Sequence, residues 1–286
     1  LNVSRSYLQA DGAVKKISNY ITRKVADKLS SLFKKDRKGF EEKWNDIKVV
    51  IEYGMLSEDK FFEKAEKFAL FPTTDGDYFT YEELQEKVKD SQTDKDGKLI
   101  LLYASQVEEQ HSYIQAAKDK GYTVLLLDSP IISHLIQKLE SSKENLSFAR
   151  VDGDAIENLI KKDEATVSKL SEEETEKLKP MIEEAVTDEK YSVQLEAMDS
   201  KGLPFVLTQP EFMRRMKEMQ QTGGGGMMGS LPEMYTLLVN TNHSLVGQIL
   251  NTKTTKKRER LIRQGLDLAR LSQNLLKGEE LTAFIQ

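Results

Sequence analysis

Apolar residues recur every three or four positions from Ala13 onward, and Val14, Ile17, Ile21, Val25, Leu29 and Leu32 mark one long helix ending near Asp36. A second helix is predicted from Gly39 to Tyr53, with Phe40, Trp44, Ile47 and Ile51 on one face and Gly54 as its C-cap. Ser57 is placed to cap a third, whose apolar positions are Phe61, Phe62, Ala65, Phe68 and Ala69. Three helices in series make a helical layer. The pattern then changes. An Asp75-Gly76 turn signal lies between PTT and the β-prone DYFTY, and Thr80-x-x-Glu83 forms a capping box over a short helix. The apolar runs KLILLYA (98–104), YTVLLLD (122–128) and LSFARVD (146–152) then alternate with helical EEQHSYIQAAKDKG, PIISHLIQKLESS and AIENLIKK. Strand and helix alternating at this spacing predict a small parallel sheet with right-handed crossovers.

Residues 161–190 are acidic and lysine-rich, carry a second capping box at Ser171-x-x-Glu174, and hold Pro180, which is expected to break or restart its helix. A domain boundary is placed here, around Asp163 to Ser171. Beyond it, YSVQLEAMD (191–199) alternates as a half-buried strand, Lys201-Gly202 turns the chain, and PFVLT (204–208) is expected to pair back. MYTLLVN (234–240) is another strand, and Asn242 is expected to cap a helix from His243 to Leu250. Lys256 to Leu276 reads as a long helix with Leu261, Leu266, Leu268, Ala269, Leu271, Leu275 and Leu276 apolar over more than one face. Such width implies burial on two sides, either within the domain or in a dimer bundle, and periodicity does not choose between them. GEELTAFIQ starts a last helix.

Between the two C-terminal strand regions lies PFVLTQPEFMRRMKEMQQTGGGGMMGSLP (204–232). Pro210 suits a first helical turn, and Phe212, Met213, Met216 and Met219 fall on one face, with Arg214, Arg215, Lys217 and Glu218 over most of the rest. Four consecutive glycines follow, in a segment that also carries Met227 and Met228. Two readings stand side by side. The apolar stripe faces this domain's own core, as such stripes usually do; or it is an exposed face whose unbranched, polarisable methionines repack around varied apolar partners.

Composition narrows the function classes. The chain has 286 residues, 38 % hydrophobic and 31 % charged, enough to bury real cores in two domains or one large one. No run of eighteen apolar residues suggests a membrane span, and the opening LNVSRSYLQ has no signal-peptide pattern, so the chain reads as a fragment of something longer. Zero cysteines exclude disulfides, thiolate nucleophiles and cysteine-bound zinc, and fit a reducing cytoplasm. The formal charge of −5 argues against nonspecific nucleic-acid binding, and Glu259 interrupts the basic run KKRER (256–260). His111, His134 and His243 lie on separate elements, which disfavours a metal triad. Asp94-x-Asp96-Gly97 superficially suggests a calcium loop, but a strand follows where acidic ligands are needed, so a polar turn is expected. Asp128 and Asp152 end two strands of the parallel sheet, where open sheets bind ligands, yet no glycine-rich phosphate loop follows any strand. Asp128 is expected to help cap the next helix. A nucleotide- or metal-dependent enzyme built on this sheet is the alternative of a different class, and a purely structural dimerisation module is a third.

LNVSRSYLQ…VKKISNYITRKVADKL, FEEKW…IEYGMLSED, FALF, QTDKDGKLILLYA, the Met-rich RRMKEM helix and NTNHSLV together resemble the ninety-kilodalton heat-shock chaperones (heat shock protein 90), in particular the bacterial branch. The resemblance covers nearly the whole chain. It implies an ATP-dependent stress-response chaperone, here without its ATPase domain. The chain would comprise a helical connector (1–71), a small α/β/α part of the middle domain (72–165) and an α+β C-terminal domain with a helical dimerisation bundle (166–286). It further implies that Arg5 reaches the nucleotide's γ-phosphate and Gln9 orders the same loop, in the full-length chain only; Ser6 stands where the family commonly has Glu. ATP and magnesium would belong to the missing N-terminal domain, with no cofactor in this fragment. Phe212, Met213, Met216, Met219, Met227 and Met228 would form the client-binding segment, which favours the exposed reading. Leu261, Leu266, Leu268, Leu271, Leu275, Leu276 and Phe284 would form the dimer bundle, and Gln286, by cutting the last helix short, is expected to weaken it. The implied partners are a second copy and partly unfolded clients in the cytoplasm, with no nucleic acid and no membrane. Without an acidic C-terminal pentapeptide, tetratricopeptide-repeat partners are not expected.

Overall fold

The computed structural model describes residues 3–4, 7–8, 12–162, 166–209, 211–215, 234–273 and 275–285, with side chains from residue 16 onward. Strands β1 (Val3–Ser4) and β2 (Tyr7–Leu8) pair antiparallel ahead of helix α1 (Gly12–Lys35). The predicted stripe of α1 is largely solvent-facing: Ile17, Ile21, Val25 and Leu32 are exposed, while Ala26 is buried and Leu29 and Phe33 pack at the core's edge. The next predicted helix is two, α2 (Arg37–Glu42) and α3 (Trp44–Ser57), the first capped by Asp36, whose carboxylate accepts from the Gly39 N–H. Gly54 does not cap α3, which runs past it. It allows close approach instead: a Cβ there would lie 2.9 Å from the Phe61 ring. Helix α4 (Asp59–Ala65) starts at Glu58, not Ser57, with no side-chain cap.

β3 (Phe71–Pro72) and β4 (Tyr78–Phe79) form a short antiparallel pair, and the Thr80–Glu83 capping box opens α5 (Tyr81–Gln92) as predicted. The parallel sheet also forms as predicted. β5 (Leu99–Ala104) is central, between β6 (Val124–Leu126) and β7 (Leu146–Arg150), with crossovers α6 (His111–Asp119) and α7 (Ile132–Ser142). β5 is buried on both faces, so its side chains divide with period two. Leu99, Leu101 and Tyr103 join one core with α3, α4, α5 and α7, while Ile100, Leu102 and Ala104 join another with α6 and the short α8 (Ile156–Leu159). The helical layer and one sheet face thus share a single core.

The C-terminal part packs α9 (Glu172–Ala185), α11 (Ser244–Asn251) and α12 (Thr255–Ser272) around a mixed sheet of β8 (Tyr191–Glu196), β9 (Phe205–Thr208) and β10 (Tyr235–Asn240). α9 is not broken by Pro180. The proline is exposed, while Leu178, Ile182 and Ala185 on the other face hold the helix together through burial that outweighs one lost backbone bond. β9 does not pair back on β8. β10 lies between them, parallel to β8 and antiparallel to β9. The reason is burial: YTLLVN (235–240) is buried at every position but Thr236 and suits the centre, while β8 alternates buried and exposed positions as an edge strand does. His243, not Asn242, caps α11, its Nδ1 accepting from the Leu245 N–H at 3.1 Å; the Asn242 side chain instead donates to the Val167 and Met198 carbonyls. α13 (Gly278–Ile285) follows α12. No helix among the described residues is long and apolar enough to cross a membrane.

Candidate functional site

Open parallel sheets leave a crevice beyond the carboxyl ends of their strands, and ligands commonly occupy it. In this chain a segment of the polypeptide docks on the β5–β7 side of the sheet. Residues 211–215 are helical (α10) and follow β9. The charged side chains of α10, not its apolar ones, turn toward the sheet. Arg214 is only 4 % exposed, pairs with Glu211 at 2.5 Å, and donates a hydrogen bond to the hydroxyl of Tyr103 at the end of β5. That hydroxyl in turn donates to Glu211 Oε1 at 3.2 Å. Arg215 donates to Glu211 at 2.8 Å, to Glu140 of α7 at 2.8 Å, and to the Phe148 carbonyl of β7 at 2.9 Å.

The electrostatics of this latch follow from burial and pairing. Burial alone would raise the Glu211 carboxyl, but the guanidiniums of Arg214 and Arg215 outweigh it and hold the group below its ordinary value. Burial likewise works against the charge on Arg215, yet the Glu140 and Glu211 carboxylates raise its pKa. Tyr103 is pushed up, by burial first and then by Glu211, so it remains a neutral hydroxyl able to donate and accept.

The opposite side of α10 presents Phe212, which is 72 % exposed, with Met213 half-buried beside it. Packing into the chain's own core therefore does not hold at Phe212. Met216, Met219, Met227 and Met228 lie outside the described residues, as do the side chains of Arg5 and Gln9.

The two strand-end carboxylates are engaged elsewhere. Asp128 does not cap α7; it pairs with Lys48 of α3 at 2.5 Å, and Ser129 Oγ accepts from the Ile131 N–H instead. Asp152 is held by Arg150 at 2.5 and 2.8 Å. Both strand-end carboxylates are thus engaged in ion pairs within the fold. Asp94 behaves as a turn residue, its Oδ1 accepting from the Asp96 and Lys98 amides while Gly97 takes a φ of 81°. No cluster of three potential metal ligands occurs among the described residues.

Helix α12 ends at Ser272, short of the predicted Leu276, so Leu275 and Leu276 lie in the link to α13, and the seven apolar positions divide. Leu261, Leu266 and Leu275 pack against the C-terminal core, and Leu276 is buried. Leu268 and Leu271 are exposed and Phe284 is half-buried. Exposed Ile285 accompanies them, an apolar position the sequence pattern did not single out. Sequence reasoning also missed Glu211, Tyr103, Glu140 and Tyr113. The hydroxyl of Tyr113, on α6, donates to the Leu207 carbonyl of β9 at 2.5 Å and accepts from Gln273 beyond α12. Only an unusually charged helix face, beginning Glu-x-x-Arg-Arg beside an apolar one, hinted that the polar side had partners.

Comparison with known proteins accords with this architecture. The family described as Hsp90 protein matches residues 1–272. The chaperone protein HtpG of Bacteroides thetaiotaomicron is 48 % identical over 255 residues, covering 88 % of this chain and 37 % of that protein. HtpG of Porphyromonas gingivalis is 46 % identical over 255 residues with the same coverage, and that of Bdellovibrio bacteriovorus is 29 % identical over 185 residues, 64 % of this chain and 29 % of its own length. The chain thus spans well under half the length of the relatives it matches. With its parallel sheet, latched helix and C-terminal α+β unit read alongside a match over nearly all its residues, this chain belongs to the Hsp90 family.

Proposed function

We propose that this chain is the client-binding and dimerising part of a bacterial Hsp90 chaperone, acting on partly unfolded proteins in the cytoplasm. ATP and magnesium are handled elsewhere in the longer protein, to which this part contributes Arg5 and Gln9. The observation that carries the reading is Phe212: a large aromatic side chain, 72 % exposed, on a helix whose charged face is fastened to the sheet. A short apolar helix left to itself would turn its apolar side inward. Here the polar latch satisfies Arg214, Arg215 and Glu211, so the apolar side is free to meet a partner. Burying one such side chain contributes about 1.5–3 kcal/mol before ordering costs, which suits weak and promiscuous binding. Leu268, Leu271 and Ile285, exposed near the end of the chain, are the positions best placed for a dimer seam, with Phe284 beside them.

The test is suppression of aggregation of a heat-denatured model protein by this chain and by Phe212→Ser. Because the side chain is exposed, the substitution should change stability by no more than about 0.5 kcal/mol. Suppression should fall in the variant while the unfolding midpoint stays put. Full suppression by the folded variant would refute the assignment of this face.

A further inference from the structure

A second apolar surface lies at the other end of β9. Helix α6, the β7–α8 segment and the β8–β9 turn enclose a cleft of about 370 Å³. That volume falls in the range of pockets that hold organic groups, roughly 300–1,000 Å³. Its apolar lining includes Val151, Ile156, Met198 and Val206, and Leu203, 47 % exposed, stands at the lip. The walls come from both halves of the molecule: Val151 and Ile156 pack with the parallel sheet's second core, and Met198 belongs to a small cluster around the β8–β9 turn.

The rim is acidic. Asp119 stands on the α6 wall, Asp154 and Glu157 beside α8, and Asp199 on the β8–β9 turn, against Lys201 among the lining residues. Glu157 is paired with Lys120 at 3.4 Å. Asp119 accepts only from the Gln115 amide, and Asp199 only from the Lys201 backbone N–H, so among the described residues neither carboxylate meets a cation.

We propose that this cleft binds a peptide segment in which an apolar side chain is flanked by lysine or arginine. The proposal deepens the chaperone reading above by naming the chemistry of the chain that is bound. An apolar side chain fills the lining. Flanking cations meet Asp119 on one wall and Asp199 on the other, which an acidic or neutral peptide cannot do. The cleft is also placed to work with α10. Leu203 precedes β9 and Phe212 follows it, so the cleft and the apolar side of α10 flank the two ends of one strand.

The experiment is fluorescence anisotropy at low ionic strength with labelled acetyl-Lys-Leu-Phe-Leu-Arg amide and its Glu-flanked counterpart. Wild-type chain should bind the basic peptide at least tenfold more tightly. Asp119→Lys/Asp199→Lys changes two exposed side chains and should reverse that preference with the unfolding midpoint retained. Leu203→Ser should weaken binding of the preferred peptide in both the wild-type and the double-variant background, placing the peptide at the lip. Phe212→Ser should bind the short peptide as wild type does. Equal affinity of wild type for both peptides, or an unchanged preference in the folded double variant, overturns the proposal. If the peptide fails to bind while Phe212→Ser still abolishes aggregation suppression, the cleft assignment falls and the chaperone reading stands.

Discussion

Glu211 is the keystone of the latch, and Glu211→Ala is the perturbation that measures it. Its carboxylate takes four contacts: Arg214 at 2.5 and 3.2 Å, Arg215 at 2.8 Å and the Tyr103 hydroxyl at 3.2 Å. Removing one partner of a fully buried pair costs about 3–5 kcal/mol, because the remaining charge is stranded. Here the Arg214 side chain is 5 % exposed, but Glu211 itself is 29 % exposed and Arg215 keeps Glu140, so solvent screening and that second partner reduce the loss. An expected cost is about 2–3 kcal/mol, concentrated in the docking of α10. That corresponds to an increase of roughly 30- to 150-fold in the undocked population. Hydrogen exchange read by mass spectrometry gives this directly: amides in 205–215 should exchange faster by a similar factor, while those of β5 stay unchanged. The pairing also sets a pH direction. Because the carboxyl is held below its ordinary value, the latch contributes fully above the unfolded-state pKa and loses its contribution as pH falls through the folded one. Exchange in 205–215 that is unaltered by Glu211→Ala would refute the latch.

Two further substitutions probe packing and burial. In α12, a Cβ on Gly265 would lie 2.5 Å from two ring carbons of buried Phe205. Helix propensity alone would make Gly265→Ala stabilising by about 1 kcal/mol, whereas the clash predicts a net loss of about 1–2 kcal/mol and a lower unfolding midpoint; a higher midpoint would refute the close approach. Glu52 of α3 is 7 % exposed, and its Oε2 has no partner among the described residues. Burial pushes its carboxyl from 4.5 up to about 6, against the lowering effects of Ser129 and Lys48. The folded state therefore binds this proton more tightly than the unfolded state. The cost of ionising Glu52, about 2 kcal/mol, is present in full above pH 6 and fades as pH falls toward 4.5. Glu52→Gln should therefore stabilise the chain at pH 8 and change little at pH 4.5 in urea unfolding; an equal effect at both would refute the burial argument.

Local patterns were legible wherever one residue's neighbours along the chain decide its state. The strands of the parallel sheet, the capping boxes at Thr80 and Ser171, and the turn at Gly97 all follow from periodicity and short-range hydrogen bonding, and all three form. The apolar stripe of α1 was equally plain, but periodicity reports that a face is apolar and not what covers it, so Ile17 and Ile21 could not be told from core residues. Proline and glycine signals failed at Pro180 and Gly54 because packing of α9 and α3 outweighs local preference.

The amino-acid sequence by itself determined most of the helical and strand segments, the parallel pairing of β5 to β7, and the apolar character of the face carrying Phe212. Tertiary structure alone decided that β10 enters between β8 and β9, that Asp128 serves Lys48, and that the charged face of α10 docks while Phe212 stays out. The physical reason is separation along the chain. Lys48 and Asp128 are 80 residues apart, Glu140 and Arg215 are 75 apart, and Tyr103 and Arg214 are 111 apart. Backbone periodicity acts over a few residues, but a buried charge must be satisfied by whichever partner the assembled elements bring to it, and that partner exists only once the chain has folded.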